Sequence, residues 1–291
     1  MTAYTFKPPP QRTPTSDSML TTIATNTTVP TIDQEPEIAY AISRVLADYG
    51  NTVSVHSKAK SLTKFGRNDA LGTSYGLVWM NTTQATETLP ASNLIDSVSS
   101  SSGSDTQSIV IEGHTISGSD LTFSTQTLTL TGQTRVALTT PLARGTRLYN
   151  NGSTNFAGTV WAYENTAIVS GVPTDKTKAH LAAGGGSGKN QSEKAATAIS
   201  AADYYFITGV YGSVLTKTAA NVEFDLQIKL SGKVFRTRLD FATSNTGGAK
   251  YIPFKPCLIV PKNSDIRLRA KSSAANTEVE GGFVGYLAAV L

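Results

Sequence analysis

Cysteine and charge are both scarce in this sequence, and each shortage excludes a class of protein. The one cysteine, Cys257, can form no intrachain disulfide and cannot supply the cysteine cluster of a structural zinc site. It lies among apolar residues in PFKPCLIVP, which favours a buried structural thiol over a nucleophile. Charged residues make up 16% of the chain, against a usual share of about 25%. Serine, threonine, asparagine and glycine supply the polarity instead, and this composition favours strands joined by tight turns.

Long apolar runs and concentrated charge are also missing along the 291 residues. No stretch is apolar for long enough to cross a bilayer, so we expect no membrane partner. The formal net charge is +4 and the basic residues are scattered, which predicts no nucleic-acid partner. The opening residues, MTAYTFKPPPQRTP, lack the apolar core of a secretory signal. We therefore expect a protein that stays in a compartment reached without export.

Residues 1–35 are predicted to form an extended arm. Three consecutive prolines favour polyproline II geometry, and the residues after them show no helical period. An isolated arm buries too little apolar surface to offset its ordering entropy. It is either a disordered tail or a segment that orders against a neighbouring subunit. In the second case its predicted anchors are Tyr4, Phe6, Met19, Leu20 and Ile23.

An amphipathic helix is predicted over residues 36–50. In EPEIAYAISRVLADYG the apolar residues, among them Ile38, Ile42 and Leu46, recur at three- and four-residue spacing. Acidic residues suit the N-terminal end of the helix, and Gly50 provides its C-terminal stop. The helix has to pack on something, either the sheets of its own chain or a partner. Ile38, Ile42 and Leu46 are therefore further candidates for partner binding.

From residue 51 onward the sequence has the pattern of short strands separated by turn residues. NVEFDLQIKL alternates strictly, which predicts a half-buried antiparallel strand, and the SGK after it predicts a hairpin to VFRTRLDF. In DLTFSTQTLTLTG the alternation breaks once, which predicts a bulge. The predicted fold class is mainly β. Two β-sandwich or jelly-roll-like units, 51–182 and 190–291, follow the extended N-terminal arm and the one α-helix.

The stretch AGGGSGKN, residues 183–190, resembles a phosphate-binding loop only superficially. Such a loop needs glycine where this chain has Ala183, and a hydroxyl where it has Asn190. It also needs a buried parallel strand before it and a helix after it, and neither flank has that pattern. We interpret the stretch as a loop between strands, with Lys189 as a solvated charge.

No catalytic residue, cofactor or metal site is predicted, and the chain is not expected to be an enzyme. The histidines His56, His114 and His180 fall on separate strands or turns without metal-ligand spacing, and we interpret them as surface residues. Acidic residues such as Glu112 and Asp225 fall on the polar side of their strands, which predicts solvated faces. A β-sandwich hydrolase that uses His114 or Glu112 is kept as a third alternative.

Several ordered stretches resemble a group of tailed-bacteriophage virion structural proteins. The first are SLTKFGRNDALGTSYGLVW and the serine-rich IDSVSSSSGSDTQSIVIEGHTISGSDLTFSTQTLTLTGQTRVALTTPLARGTRLYN. The C-terminal part is similar too, in GKNQSEKAATAIS, VEFDLQIKLSGKVFRT and IVPKNSDIRLRAKSSAANTEVEGGFVGYL. The resemblance covers roughly residues 60–291 and does not include the arm and the helix.

This resemblance implies a non-enzymatic building block of a phage particle, located in the virion and assembled in the host cytoplasm. We expect a capsid decoration or cement subunit that binds the major capsid protein or other virion proteins through its arm and β domains. We also expect a homo-oligomer, with a trimer as the first hypothesis.

The alternative is a tail, neck or fibre component that binds host-surface carbohydrate. Its binding rings would come from exposed aromatic residues, and the candidates are Trp79, Trp161, Tyr163, Tyr204, Tyr205 and Tyr211. Aromatic residues in strands more often belong to a core, which is the competing interpretation of all six.

Overall fold

The computed structural model describes residues 59–80, 89–183, 190–216 and 220–289. The predicted arm, the predicted helix and all eight predicted partner-binding residues lie outside the described residues. The described residues form eighteen strands and no helix, so the mainly β prediction is confirmed for this part of the chain. No helix among them is long and apolar enough to cross a membrane. By compactness the chain divides into residues 1–57 and 58–291, and all the strands belong to the second unit.

The strands follow one another in antiparallel sheets. In chain order they are β1 (Lys60–Leu71), β2 (Gly76–Leu77), β3 (Ile95–Ser100), β4 (Ser108–Ser117), β5 (Asp120–Thr129), β6 (Val136–Leu142), β7 (Arg144–Asn150), β8 (Val160–Glu164), β9 (Ile168–Val169), β10 (Val172–Pro173), β11 (Thr177–Leu181), β12 (Ala196–Ala198), β13 (Tyr204–Val214), β14 (Asn221–Lys229), β15 (Arg236–Ser244), β16 (Lys250–Val260), β17 (Asp265–Ser272) and β18 (Thr277–Ala288).

Two of the sheets, which we call the framework sheets, are built from the two ends of the described chain. The first has the order β1-β18-β13-β16, and the second has the order β12-β17-β14-β15 with β2 paired to β17. Side chains of both sheets contribute to one hydrophobic core, including Phe283 from β18 and Phe224 from β14. A Cβ added at Gly212 of β13 would lie 2.8 Å from the Phe224 ring. The two sheets therefore pack face to face at close range.

Strand β14 confirms the predicted alternation only on its inner side. Val222, Phe224 and Leu226 are fully buried in the framework core, and the predicted hairpin to β15 is present. The other side is not solvated as predicted, because Asp225 and Gln227 are only 3% and 7% exposed. Long side chains of the neighbouring strand explain the burial, since Arg269 and Arg267 of β17 donate hydrogen bonds to these two residues.

Two further sheets, which we call the inserted sheets, are formed by residues 89–183. Their orders are β11-β8-β3-β6 and β5-β4-β7, and they share a second hydrophobic core. The Gln126 side chain of β5 donates to the Thr140 carbonyl of β6 and accepts from its N–H, at 2.7 and 2.9 Å, and so joins the two sheets. The predicted bulge in β5 is wrong: β5 pairs with β4 in continuous register from Asp120 to Thr129.

The inserted sheets leave the framework and return to it at neighbouring points. Trp79 and Lys194 form an isolated antiparallel bridge, and the Met80 N–H donates to the Glu193 carbonyl at 3.2 Å. The pairing of β1 with β18 and of β2 with β17 joins residues 60–77 to sheets made by the C-terminal part of the chain. The division into domains 51–182 and 190–291 stays a prediction.

Candidate functional site

The most concentrated polar chemistry of the described residues lies where strand β7 of the inserted sheets meets the framework sheets. We call this region the joint and define it by Lys64, Arg144, Thr146, Lys194 and Asp265. β7 pairs with β4 along one edge. Two β7 residues also bind the framework: the Thr146 carbonyl accepts a hydrogen bond from Lys64, and Arg144 pairs with Asp265. The joint therefore holds two separate hydrophobic cores in one fixed arrangement.

A buried ion pair forms the centre of the joint. The Arg144 guanidinium donates from Nε to Oδ1 of Asp265 at 2.7 Å and from Nη2 to Oδ2 at 3.2 Å. Its Nη1 also donates to the carbonyl oxygens of Pro90 and Ala143. The Lys229 ammonium lies 3.8 Å from the second Asp265 oxygen. Arg144 and Asp265 are 8% and 5% exposed, so a charge lost from either side leaves its partner buried.

Lys64 provides a second link across the joint. Its ammonium donates to the Thr146 carbonyl at 2.8 Å and connects β1 with β7. Burial disfavours the charged form and lowers the pKa of Lys64 to about 8, although nearby Glu112 opposes the shift. The site thus keeps a lysine that is costly to bury, because its hydrogen bond fastens the edge of the framework to the inserted sheets.

Backbone hydrogen bonds extend the joint along β7. The Ser192 N–H donates to the Leu148 carbonyl at 2.7 Å, and the Leu148 N–H donates to the Ser192 hydroxyl at 2.9 Å. The Asn150 N–H donates to the Asn190 carbonyl at 2.8 Å. Residues 190–192 thus act as a short extra strand on the free edge of β7. They follow the glycine stretch 184–189, which lies outside the described residues.

Three aromatic rings from both parts of the chain stack beside the joint. The His180 ring lies 5.3 Å from Trp161 and 5.7 Å from Trp79, centroid to centroid, and the Lys194 ammonium lies 4.9 Å from the Trp79 ring centre. His180 is 2% exposed, so its interpretation as a surface histidine is wrong. Burial, helped by the Lys194 charge, lowers the pKa of His180 to about 4. This ring is neutral at physiological pH and serves as a packing element.

His114 is also buried, which corrects the same interpretation. It lies edge-on to Phe123 at 5.4 Å between centroids, and burial with the charges of Lys64 and Arg144 lowers its pKa to about 4. The carboxylate of Glu112, two residues away, has Arg147 at 4.0 Å. A histidine held neutral among cations is a poor general acid at neutral pH. The arrangement gives little chemical support to the hydrolase alternative.

A small cavity of about 50 Å³, which opens partly to solvent, lies beside the joint. It is lined by Trp79, Arg144, Lys178 and Lys194 among others. These cations bind other parts of the protein: Arg144 binds Asp265, and Lys178 lies 3.0 Å from the Glu164 carboxylate. Lys194 donates to the carbonyls of Gly145 and Lys178. The lining charges hold strands together, which makes this a structural cavity.

Metal and thiol chemistry find no support in the part of the chain that the structure describes. There, no three His, Cys, Asp or Glu side chains are grouped so that they could hold a metal ion. Cys257 of β16 is half-buried, and burial raises the pKa of its thiol. A thiol of this kind is a weak nucleophile. The predicted full burial is met only in part, since Cys257 is half-buried.

Four of the six aromatic candidates for carbohydrate binding belong to buried regions. Trp79, Trp161, Tyr163 and Tyr205 are between 0% and 6% exposed, so these four cannot form a surface platform. Tyr205 also donates its hydroxyl to the Leu62 carbonyl at 2.8 Å. The competing interpretation, that strand aromatics pack in cores, is confirmed for these four residues.

The joint was missed by sequence reasoning because its members are far apart in the chain. Arg144 and Asp265 are separated by 121 positions, and Lys64 and Thr146 by 82. No local signal marks these residues, because the strands of Lys64, Arg144 and Asp265 each contain other charged side chains.

Comparisons with known proteins give distant structural similarity only. No protein-family model matches the chain, and no curated protein matches it. The chain is similar to a chain from the structure of infectious bursal disease virus, Gt strain, with 11% identity and a TM-score of 0.21. It is also similar to the VP2 subviral particle of the same virus, with 14% identity and a TM-score of 0.15. Each match covers 86% of this chain and 78% of the other. Scores this low carry no functional argument, and the proposals below use this chain's own residues.

Proposed function

We propose that this protein is a structural subunit of a phage particle, most specifically a capsid decoration or cement protein. The observation that carries the proposal is the joint: the buried Arg144–Asp265 pair fixes two β cores as one rigid body. A particle subunit has to transmit force between its contacts without changing shape. Buried, fully bonded charges favour a single arrangement of the parts they connect.

We infer that the framework sheets form a jelly-roll β-sandwich. From β13 to β18 the chain passes repeatedly between the two sheets. β1 pairs with β18 in the first sheet, and β2 and β12 pair with β17 in the second. The two facing sheets contain nine strands, and β2 and β12, which pair with different residues of β17, together take the place of one strand. The eight strand positions with this alternation correspond to two Greek keys. Such sandwiches occur in viral capsid and lectin domains, which agrees with the resemblance to tailed-phage virion proteins.

A non-enzymatic role is supported by the state of the buried histidines. His114 and His180 both have pKa values lowered to about 4, and each packs against aromatic rings. Their environments suit stability better than proton transfer at neutral pH. The subunit is proposed to bind the major capsid protein or other virion proteins, with residues 1–35 and 36–50 as its attachment segments. We further propose that the subunit is a trimer in the virion and is assembled in the host cytoplasm.

Particle reconstitution tests this function. Particles lacking the subunit are incubated with the full chain, with a chain lacking residues 1–35, and with Met19→Ser/Leu20→Ser/Ile23→Ser. Bound copies are counted by mass spectrometry, particle melting is followed by light scattering, and light scattering of the free protein gives its copy number. We expect the full chain to bind as trimers and raise the melting temperature, and both altered chains to bind less.

The outcomes separate the parts of the proposal. Absence of the chain from particles contradicts a virion role, and unchanged occupancy after the deletion contradicts an anchoring arm. Electron microscopy that finds the chain on the tail, neck or fibre would favour the alternative function. Glycan-array binding lost on changing the partly exposed Tyr204 or Tyr211 to Ala would then identify carbohydrate as the ligand.

A further inference from the structure

We propose that the free edge of the framework sheets, formed by β15 and β16, binds an extended acidic segment of a partner protein. We call this surface the basic edge. Its members are Lys and Arg residues on β15, on β16 and in the loops beside them, namely Lys233, Arg236, Arg238, Lys250, Lys255 and Lys262. The inference depends on strand pairing and charge, and it stands whether or not the protein belongs to a virion.

The segment that forms the basic edge accounts for the net positive charge of the chain. Residues 231–262 contain these six cations and one carboxylate, Asp240, for a net charge of +5. The whole chain has a net charge of +4, so all other residues together sum to −1. The prediction of scattered basic residues is therefore wrong for this segment, although the other 19 of the 25 Lys and Arg residues lie elsewhere in the chain. The fold places the excess on two consecutive strands, each the edge strand of one framework sheet, and on their loops.

The cations of the basic edge are all exposed. Within the described ranges none of the six forms an ion pair with a carboxylate, and Lys250 only donates to the Ala242 carbonyl at 3.2 Å. Cations elsewhere on the surface behave differently, since Lys271 lies 2.9 Å from the Glu223 carboxylate. Unpaired charges of one sign on one surface attract a partner of opposite charge and speed its association.

The backbone of β15 is open to pairing along this edge. Among the strands of the described ranges, β15 is the last of its sheet and pairs with β14 alone. The pairing of β15 with β14 skips Arg238, since Leu239 pairs with Leu226 and Thr237 pairs with Gln227. The adjoining edge strand, β16, contains Pro253 and Pro256, which lack N–H donors and block its edge. An added strand would therefore pair with β15, while side chains of both strands contact its flanks.

The chemistry favours an acidic protein segment over nucleic acid. Bases bind single-stranded sites by stacking on free aromatic faces. Tyr251 is 55% exposed, but the hydroxyl end of its ring lies against the backbone of Gly209, where an added Cβ would come within 2.2 Å of the hydroxyl oxygen, so only part of the ring is available for stacking. The Arg267 guanidinium covers Phe235 at 3.8 Å from the ring centre. Exposed Val234, at 72%, offers an apolar contact suited to a peptide side chain.

A second copy of this chain is a poor occupant. Pairing two β15 edges would bring two sets of like charges together, which opposes association. The other role that basic residues can have on an edge strand is to prevent pairing of like edges. If that is their whole role, no acidic strand should bind. The experiment below distinguishes these two roles.

Peptide binding tests the proposal with the full chain. The probe is a short fluorescein-labelled peptide of alternating Thr and Glu, and binding is measured by fluorescence anisotropy. Three comparison probes are the Gln-for-Glu peptide, the same acidic peptide with alternate backbone nitrogens methylated, and a DNA oligonucleotide of similar charge in single- and double-stranded form. The variants are Arg236→Glu/Arg238→Glu and Lys60→Glu, an exposed charge change at the opposite edge of the framework.

We expect the acidic peptide to bind and to weaken as salt is added, because exposed charges are screened. Arg236→Glu/Arg238→Glu should weaken binding at least about tenfold, while Lys60→Glu leaves it within about twofold. Backbone methylation should also weaken it at least about tenfold, since it removes strand pairing and keeps the charge. Tighter binding of DNA, equal binding of the methylated peptide, an equal effect of Lys60→Glu, or no binding at low salt would each overturn the proposal.

Discussion

Arg144 and Asp265 are 121 positions apart in the chain, yet they form a two-bonded ion pair between strands of two different β cores. Neither core needs the pair for its own packing, since both are built from apolar side chains. The pair instead determines how the cores are held relative to each other. Its removal should therefore affect the cooperation between the cores as well as the overall stability.

Arg144→Met should lower the free energy of unfolding by about 3 kcal/mol. The substitution leaves the Asp265 carboxylate buried with only Lys229 near it, at 3.8 Å, and breaking a buried pair costs about 3–5 kcal/mol. Chemical denaturation followed by tryptophan fluorescence measures the change, because Trp79 and Trp161 lie beside the joint. We also expect a broader transition as the two cores begin to unfold separately.

A double variant and a surface pair control this experiment. Arg144→Met/Asp265→Asn removes both charges and should recover part of the lost stability. Glu223→Gln breaks the exposed pair with Lys271 and should change stability far less than Arg144→Met does, because water screens this pair. Equal losses in Arg144→Met and Glu223→Gln would contradict the assignment of the joint as the main link.

His180→Phe should reduce the sensitivity of the fold to acid. The pKa of His180 is about 4 in the folded protein and about 6.5 when unfolded, so the unfolded state binds more protons between these values. Its contribution is complete above pH 6.5 and is lost as pH falls toward 4, by about 2 kcal/mol at pH 5. Phenylalanine keeps the stack between the two indoles and cannot be protonated. Denaturation midpoints at pH 7.5 and 5 measure the difference.

The other buried histidine supplies the comparison for this test. His114 has the same lowered pKa, so His114→Phe should remove a similar part of the acid dependence, and the double variant should remove both. If His180→Phe and the unaltered protein lose the same stability between pH 7.5 and 5, then the His180 ring is not buried as described.

Lys64→Met should abolish a gain of stability at alkaline pH. The pKa of Lys64 is lowered from 10.5 to about 8, so the unfolded state binds more protons between pH 8 and 10.5, and stability rises across that window. The expected rise between pH 7.5 and 9.5 is about 2 kcal/mol in the unaltered protein. Thermal unfolding at a series of pH values tests it. Lys60→Met, an exposed change on the same strand, should keep the rise.

Gly66→Ala should prevent stable folding, whereas Gly72→Ala should be neutral. A Cβ at Gly66 would lie 1.9 Å from the Val78 carbonyl oxygen and 2.6 Å from the Ala195 nitrogen, and backbone atoms cannot move aside cheaply. A Cβ at Gly72 would meet nothing within 4 Å. We expect a loss above about 4 kcal/mol for the first and a change below about 1 kcal/mol for the second. Circular dichroism and soluble yield of the two variants provide the measurement.

Strand content was predictable because it depends on local alternation. The inner side of β14 and its hairpin to β15 follow directly from residues 221–244, where apolar side chains recur at every second position. The bulge in β5 failed because a break in hydrophobic alternation reflects which side is covered, and does not require an extra backbone residue. Local patterns therefore identified strands better than they identified register.

The joint and the burial of polar side chains were not predictable from local pattern. Asp225 was expected in water because it alternates with apolar residues, but Arg269 of a distant strand covers and pairs with it. His180 was expected at the surface, and Trp79, which stacks on it, is 101 positions away along the chain. Both outcomes depend on which strands become neighbours. That choice is made by the whole chain, since each candidate strand can pair with several others.

The bridge between Trp79 and Lys194 makes the inserted sheets a replaceable cassette. Because the chain leaves and re-enters at adjacent positions, a single short splice from Met80 to Glu193 would close the gap without rethreading any framework strand. Lys64 and Asp265 would then become solvated, which removes the need for their partners in β7. The same two positions therefore offer protein engineers a place to exchange the inserted sheets for a foreign domain.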